Sequence, residues 1–195
     1  MKKNKKQIII IGGGEAWNTY EEYVGYLKEK KYDPYEERAD LWSKTIGDVL
    51  GEDYETIKLS MPSPDNAKYK EWAIWFEKLL PYMNEEIVLI GHSLGANFLA
   101  KYLSENAFTV SIEQLHLVAG CYGVGGGFEL SDSLEKVGNQ CDKIYIYHSI
   151  DDPIVDYSDA EKYMKALPKA ELVRFDDRHH FIQEEFPEIV ENIKN

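Results

Sequence analysis

Cysteine is scarce in this chain: only Cys121 and Cys141 occur. Two cysteines in different segments do not make a disulfide framework, so the fold must rest on a packed core. Basic residues are outnumbered too, 22 Lys and Arg against 35 Asp and Glu, for a formal charge of −13. A surface of that sign repels phosphate-rich partners, which argues against nucleic acid, anionic lipid surfaces and polyanionic substrates. Long apolar runs are missing as well. The four isoleucines at 8–11 are halted by Gly12, Gly13 and Gly14, and nothing reaches the roughly 20 residues that a membrane-spanning helix needs. Lys2, Lys3, Lys5 and Lys6 resemble the start of a signal sequence, but the apolar run behind them is too short for one and suits a strand better. The expectation is a cytoplasmic protein with no membrane partner.

What is present suffices for one modest core. Of 195 residues, 44% are hydrophobic and 13% aromatic, and no repeat or linker divides them, so a single domain over 1–195 is expected. Strand-like runs at 7–11, 54–59, 87–90, 114–119, 143–147 and 171–175 alternate with helical stretches. That alternation predicts an α/β fold, a three-layer α/β/α sandwich with a mostly parallel sheet. The unbroken isoleucines at 8–11 suit a strand covered on both faces. Residues 186–193 predict a closing helix with Pro187 in its first turn.

The most informative segment is 87–95, Ile-Val-Leu-Ile-Gly-His-Ser-Leu-Gly. An apolar strand running into Gly-x-Ser-x-Gly and then a helix is a nucleophile elbow. The tight turn lifts the Ser93 hydroxyl above the sheet edge, and Gly91 and Gly95 stand where side chains would collide with neighbouring backbone. The amide of Leu94, at a helix N-terminus, can face a developing oxyanion. A serine nucleophile needs a base and a group that orients it, and in this architecture they follow in the order acid, then histidine. Asp151 and Asp152 follow the fifth strand, ahead of Pro153. His179 and His180 follow the sixth, ahead of Phe181.

Strand-Gly-His-Ser-Leu-Gly, Asp152-Pro-Ile-Val and His180-Phe together resemble the α/β-hydrolase superfamily. Within it the chain is similar to the small single-domain serine hydrolases related to retinoblastoma-binding protein nine. The resemblance implies Ser93 as nucleophile, Asp152 as acid and His180 as base, with Asp151 and His179 as the neighbouring alternatives. It also implies that the loop after the first strand supplies a second oxyanion amide, from Gly13 or Gly14. That loop lacks the histidine common there, having Ile11 and Gly12 instead. A phosphate-binding loop is the rival reading of these glycines; the Lys-Ser/Thr and the full Gly-x-Gly-x-x-Gly spacing are both missing.

Other ionisable residues have structural readings. His92 is expected to pack or hydrogen-bond locally and His116 to be structural, while His148 is a candidate for lining the site. Asp176, Asp177, His179 and His180 lack the second cluster a metal site would need, and a serine nucleophile requires no metal. No cofactor is expected. Trp72, Trp75, Phe76, Leu79 and Leu80 recur at helical spacing, as a core-facing stripe does. Residues 120–128, rich in glycine, predict a mobile loop at the catalytic edge that either lines the pocket or merely connects; closure of this loop into an apolar slot with Tyr122 and Phe128 is the alternative to an open site. The stretch 32–42 fits either a helix entry or a surface lip. Too little chain separates Ser93 from Asp152 to build a cap, so an open site selective for short acyl groups is expected. The resulting expectation is a carboxylesterase-like serine hydrolase acting on a small-molecule ester. A thioesterase or amidase with the same triad, and a non-catalytic interaction module, are the alternatives.

Overall fold

The computed structural model describes residues 5–35 and 41–195. Lys2 and Lys3 of the basic start, and positions 36–40 of the 32–42 stretch, lie outside the described residues. Six strands appear where the runs of apolar residues place them: β1 Lys6–Ile11, β2 Tyr54–Leu59, β3 Glu86–His92, β4 Ser111–Val118, β5 Cys141–Ser149 and β6 Glu171–Phe175. Between and around them run helices α1 Tyr20–Glu29, α2 Trp42–Leu50, α3 Tyr69–Glu77, α4 Leu94–Glu105, α5 Glu135–Gly138, α6 Ser158–Ala166 and α7 Pro187–Lys194. Among the described residues no helix is long and apolar enough to cross a membrane.

The strands form one sheet in the order β2-β1-β3-β4-β5-β6, and every pairing is parallel. Alternation of side chains along β1 sorts its isoleucines between two cores. Ile9 and Ile11 join Trp72 and Phe76 of α3, Phe98 and Leu103 of α4 and Tyr163 of α6. Ile8 and Ile10 face the other way, onto Trp42 and Ile46 of α2 and Ile189 and Ile193 of α7. The sheet is thus covered on both faces, the three-layer arrangement expected. Chain direction across the sheet reverses at β1: β2 lies to one side of it, β3 to the other. Such a switch point opens a crevice at the carboxyl ends of its flanking strands, and here those ends carry the Gly12–Gly14 loop and Ser93.

The aromatic stripe of α3 is narrower than expected. Trp72 and Phe76 are fully buried, whereas Trp75, at the edge of the stripe, is 43% exposed.

Candidate active site

Ser93 occupies the turn between β3 and α4 with φ 56° and ψ −122°. A non-glycine residue holds such a backbone only where its surroundings impose it, at a cost of about 1–3 kcal/mol. The Ser93 N–H donates to the Val118 carbonyl of β4 at 2.8 Å, and the Ser93 carbonyl accepts from Ala96 N–H at 3.0 Å. The flanking glycines are a steric requirement. A Cβ on Gly91 would lie 2.5 Å from the Ala96 Cα, and one on Gly95 would strike the Ile11 carbonyl oxygen and lie 2.6 Å from that of Gly12. Helix α4 can therefore begin directly against the end of β1. Leu94 is its first residue, so the Leu94 N–H has no partner within the helix. Gly13 comes close to the serine: a Cβ there would sit 3.0 Å from the Ser93 Cβ.

The loop after β6 brings His180 to the end of β5. Its Nδ1 lies 2.8 Å from Asp152 Oδ2 and 3.1 Å from Oδ1. A carboxylate only accepts, so Nδ1 carries the proton and the lone pair is left on Nε2. The Asp152 side chain is fully buried. Its Oδ1 also accepts from the N–H groups of Ile154 at 2.8 Å and Val155 at 3.0 Å. Burial alone would raise its pKa. Hydrogen bonds from His180 and from the Val155 and Ile154 amides outweigh that and hold it below the usual carboxylate range.

His92, inside the elbow, reaches farther than its local neighbours. Its Nε2 donates to the His180 carbonyl at 2.8 Å, and the two rings stand 5.0 Å apart. Burial first, and then the neighbouring His180, push the His92 pKa down to about 4, so the ring is neutral near pH 7. The Trp42 indole N–H donates to the next carbonyl, Phe181, at 3.0 Å. Nothing in the order of residues along the chain announces either tie.

Ser93, Leu94, Gly13, Gly14 and His180 border one cavity of about 500 Å³. Asp152 lies behind His180. Asp151 and His179 pair with each other instead, Oδ2 to Nδ1 at 2.8 Å, and the His179 side chain is 67% exposed. His148 does not line this cavity: it is buried beneath the acid loop, with Nε2 3.0 Å from the Val155 carbonyl. His116 of β4 is buried, its ring stacked on Tyr145 of β5 and its Nδ1 2.9 Å from the Tyr147 hydroxyl. The glycine-rich loop contributes Cys121 and Val124 to the cavity wall. Its two aromatics build no slot, because Phe128 is buried against Trp72 and Tyr69 while the Tyr122 hydroxyl donates to the Ser131 carbonyl. The loop is also pinned at Gly126, whose N–H donates to Asn18 and whose carbonyl accepts from the Tyr69 N–H.

One wall was not anticipated. Tyr26 and Lys30, one turn apart at the end of α1, border the cavity together with Leu41. Helix α1 has no buried residue. It is held at the rim by the Trp17–Tyr26 ring contact at 4.9 Å and a Lys30–Asp65 ion pair at 3.1 Å. This wall comes from chain before β2, while the segment between serine and acid gives the cavity Cys121 and Val124. A sequence signal existed in the capping box of Thr19 and Glu22, which starts this helix.

A parallel sheet, an elbow serine at its switch point and an Asp-held histidine opening onto the same cavity define the class, an α/β hydrolase. Residues 35–188 match the family model described as serine hydrolase, and the chain belongs to that family. It is 28% identical over 150 residues to serine hydrolase RBBP9 of Rattus norvegicus, covering 73% of this chain and 77% of that protein. Among solved structures, the ydeN gene product of B. subtilis superposes with a TM-score of 0.70 at 16% identity, over 97% of each chain. A thioesterase domain from the curacin biosynthetic pathway gives 0.65 at 9% identity, over 100% of this chain and 92% of that one. At such identities these two likenesses speak for the fold alone.

Proposed function

We propose that the chain hydrolyses small carboxylic esters through an acyl-enzyme on Ser93. The observation that carries this reading is the His180–Asp152 contact, 2.8 Å long with the carboxylate buried, beside the cavity that holds Ser93. His180 Nε2 takes the proton of Ser93 Oγ as that oxygen attacks the ester carbonyl carbon. The resulting oxyanion is held by the N–H of Leu94 and of Gly13 or Gly14. Collapse of the tetrahedral intermediate breaks the bond to the leaving alcohol, which takes the proton from His180. Water then repeats the cycle on the acyl-enzyme and releases the acid. Asp152 keeps the imidazole in the tautomer that this requires and stabilises the imidazolium.

The same atoms serve a thioester or an amide. The net charge of −13 favours a substrate without phosphate groups and fits a cytoplasmic setting free of membrane or nucleic-acid partners. A fluorophosphonate probe tests the reading: it should label the protein, with the adduct on Ser93, and p-nitrophenyl acetate should be turned over. Labelling and turnover must both vanish in Ser93→Ala. Absence of both from the unmodified protein would leave an interaction module on a hydrolase fold.

A further inference from the structure

The loop that presents His180 is strained and is clamped from two sides. His179 and Phe181, on either side of His180, both have positive φ, 46° and 54°. Neither is a glycine, so this backbone does not hold its shape unaided. On one side His92 and Trp42 grip the carbonyls of His180 and Phe181. On the other, the amides of Arg178 and His179 are held by residues at the end of β5. Arg178 N–H donates to Ser149 Oγ at 2.9 Å, and Ser149 Oγ–H donates to Asp151 Oδ1 at 2.5 Å. The same Oδ1 accepts from His179 N–H at 2.9 Å.

Acid and base are therefore joined twice. Asp152 meets the His180 ring, while Asp151, one residue earlier, meets the backbone one residue before that ring. From this we infer that Asp151 is a positioning residue: with Ser149 it sets the register of the base loop against the acid loop, and so the place of the His180 imidazole relative to Ser93. The inference rests on the reading of His180 as the base. Asp151 acts through the His179 amide and not the His179 ring, because that ring is largely exposed and its contact with the carboxylate is screened by water. Ser149, by contrast, is fully buried, so its hydroxyl has no water to replace a lost partner. The Asp151 carboxyl is held below its ordinary pKa, chiefly by the Ser149 hydroxyl; burial opposes this, and the His179 amide adds to the lowering.

The experiment compares kcat and KM for p-nitrophenyl acetate per folded molecule, with folding checked by circular dichroism. A misplacement of about 1 Å at the reacting groups reduces turnover by up to roughly 100-fold. Asp151→Ala should therefore lower kcat about 10- to 100-fold while KM changes less than about twofold. Asp151→Asn keeps an oxygen for both the Ser149 hydroxyl and the His179 amide, and should recover most of that loss. Ser149→Ala should match Asp151→Ala, and the double variant should lose little more than either single one, because the two act as one unit. His179→Ala should fall far short of these losses.

Parental kcat in folded Asp151→Ala, with Ser93→Ala inactive, would overturn the inference and leave the triad standing. So would equal losses in His179→Ala and Asp151→Ala, or failure of Asp151→Asn to recover activity. Should Asp151→Ala not fold, Ser149→Ala decides alone, and parental kcat there is the refuting result. Full activity in Ser93→Ala would instead refute the reading of the site itself.

Discussion

Replacing Asp152 by asparagine should change the position of one proton more than the position of any atom. The side-chain oxygen at Oδ1 accepts from two backbone amides, Ile154 at 2.8 Å and Val155 at 3.0 Å. An NH2 group cannot stand there without facing two donors. The amide oxygen must keep that place, which turns the new NH2 toward the Nδ1 of His180, now 2.8 Å from Oδ2. Nδ1 must then accept, so the imidazole proton moves to Nε2. A neutral histidine protonated at Nε2 cannot take the proton of Ser93.

The expected loss is about 10⁴-fold in kcat, the scale of a wrong tautomer in a serine triad. At about 1.36 kcal/mol per tenfold, that is roughly 5.5 kcal/mol of barrier, far above what one altered surface contact supplies. Turnover of p-nitrophenyl acetate by purified Asp152→Asn, with Asp151→Asn alongside, measures it. The fold should survive, because size and the two backbone hydrogen bonds are retained. An Asp152→Asn protein within tenfold of the parent would refute the tautomer argument, and with it Asp152 as the acid. A larger loss in Asp151→Asn than in Asp152→Asn would do the same.

Three other outcomes follow from the packing and the charges. Gly95→Ala would drive a methyl into the Ile11 and Gly12 carbonyls, so its urea midpoint should fall by an amount equivalent to about 1–3 kcal/mol or more. Stability should also decline as pH drops from about 6.5 toward 4. His92 and His116 are buried with pKa values lowered to about 4 and about 3, so the unfolded chain binds protons that the folded chain refuses, at up to roughly 1.4 kcal/mol per pH unit for each histidine. A flat stability profile across that range would contradict their burial as neutral rings. Across p-nitrophenyl esters of two to twelve carbons, kcat/KM should level off or fall after a few carbons, since Phe128 and Tyr122 form no slot; a steep continuing rise, at about 0.8 kcal/mol per buried methylene, would mean that α1 closes over the acyl chain.

The sheet was legible because each strand carries its signal locally. Runs of branched residues at 8–11 and 87–90 are apolar on both sides, as a strand between two layers is, and the glycines that follow them keep them too short for a helix. Two strands, β2 and β6, begin and end on the expected residues. The serine at the strand-to-helix turn was legible for a similar reason, since both its strand and its glycines are contiguous with it. What escaped the reading acts between distant segments. The His92–His180 tie joins residues 88 apart, and the Trp42–Phe181 tie joins residues 139 apart. Tyr26 and Lys30 reach the cavity from a helix whose own pattern marks no face for the core. The place of Phe128 was open because an aromatic after a glycine run fits a pocket wall as well as a core, and only the approach of Trp72 and Tyr69 decides between them.

Backbone strain follows the same division. Five non-glycine residues have positive φ among those described, and three of them, Ser93, His179 and Phe181, are the nucleophile and the two neighbours of the base. Composition does not disclose strain, because serine, histidine and phenylalanine all ordinarily occupy other backbone regions, histidine entering the left-handed one only more often than most. It is held in place by hydrogen bonds from β4, β5, α2 and the elbow itself. A rigid parallel sheet is what allows the end of β5, α2 and the elbow, distant from one another in sequence, to impose an unfavourable backbone on the short base loop, as β4 does on Ser93.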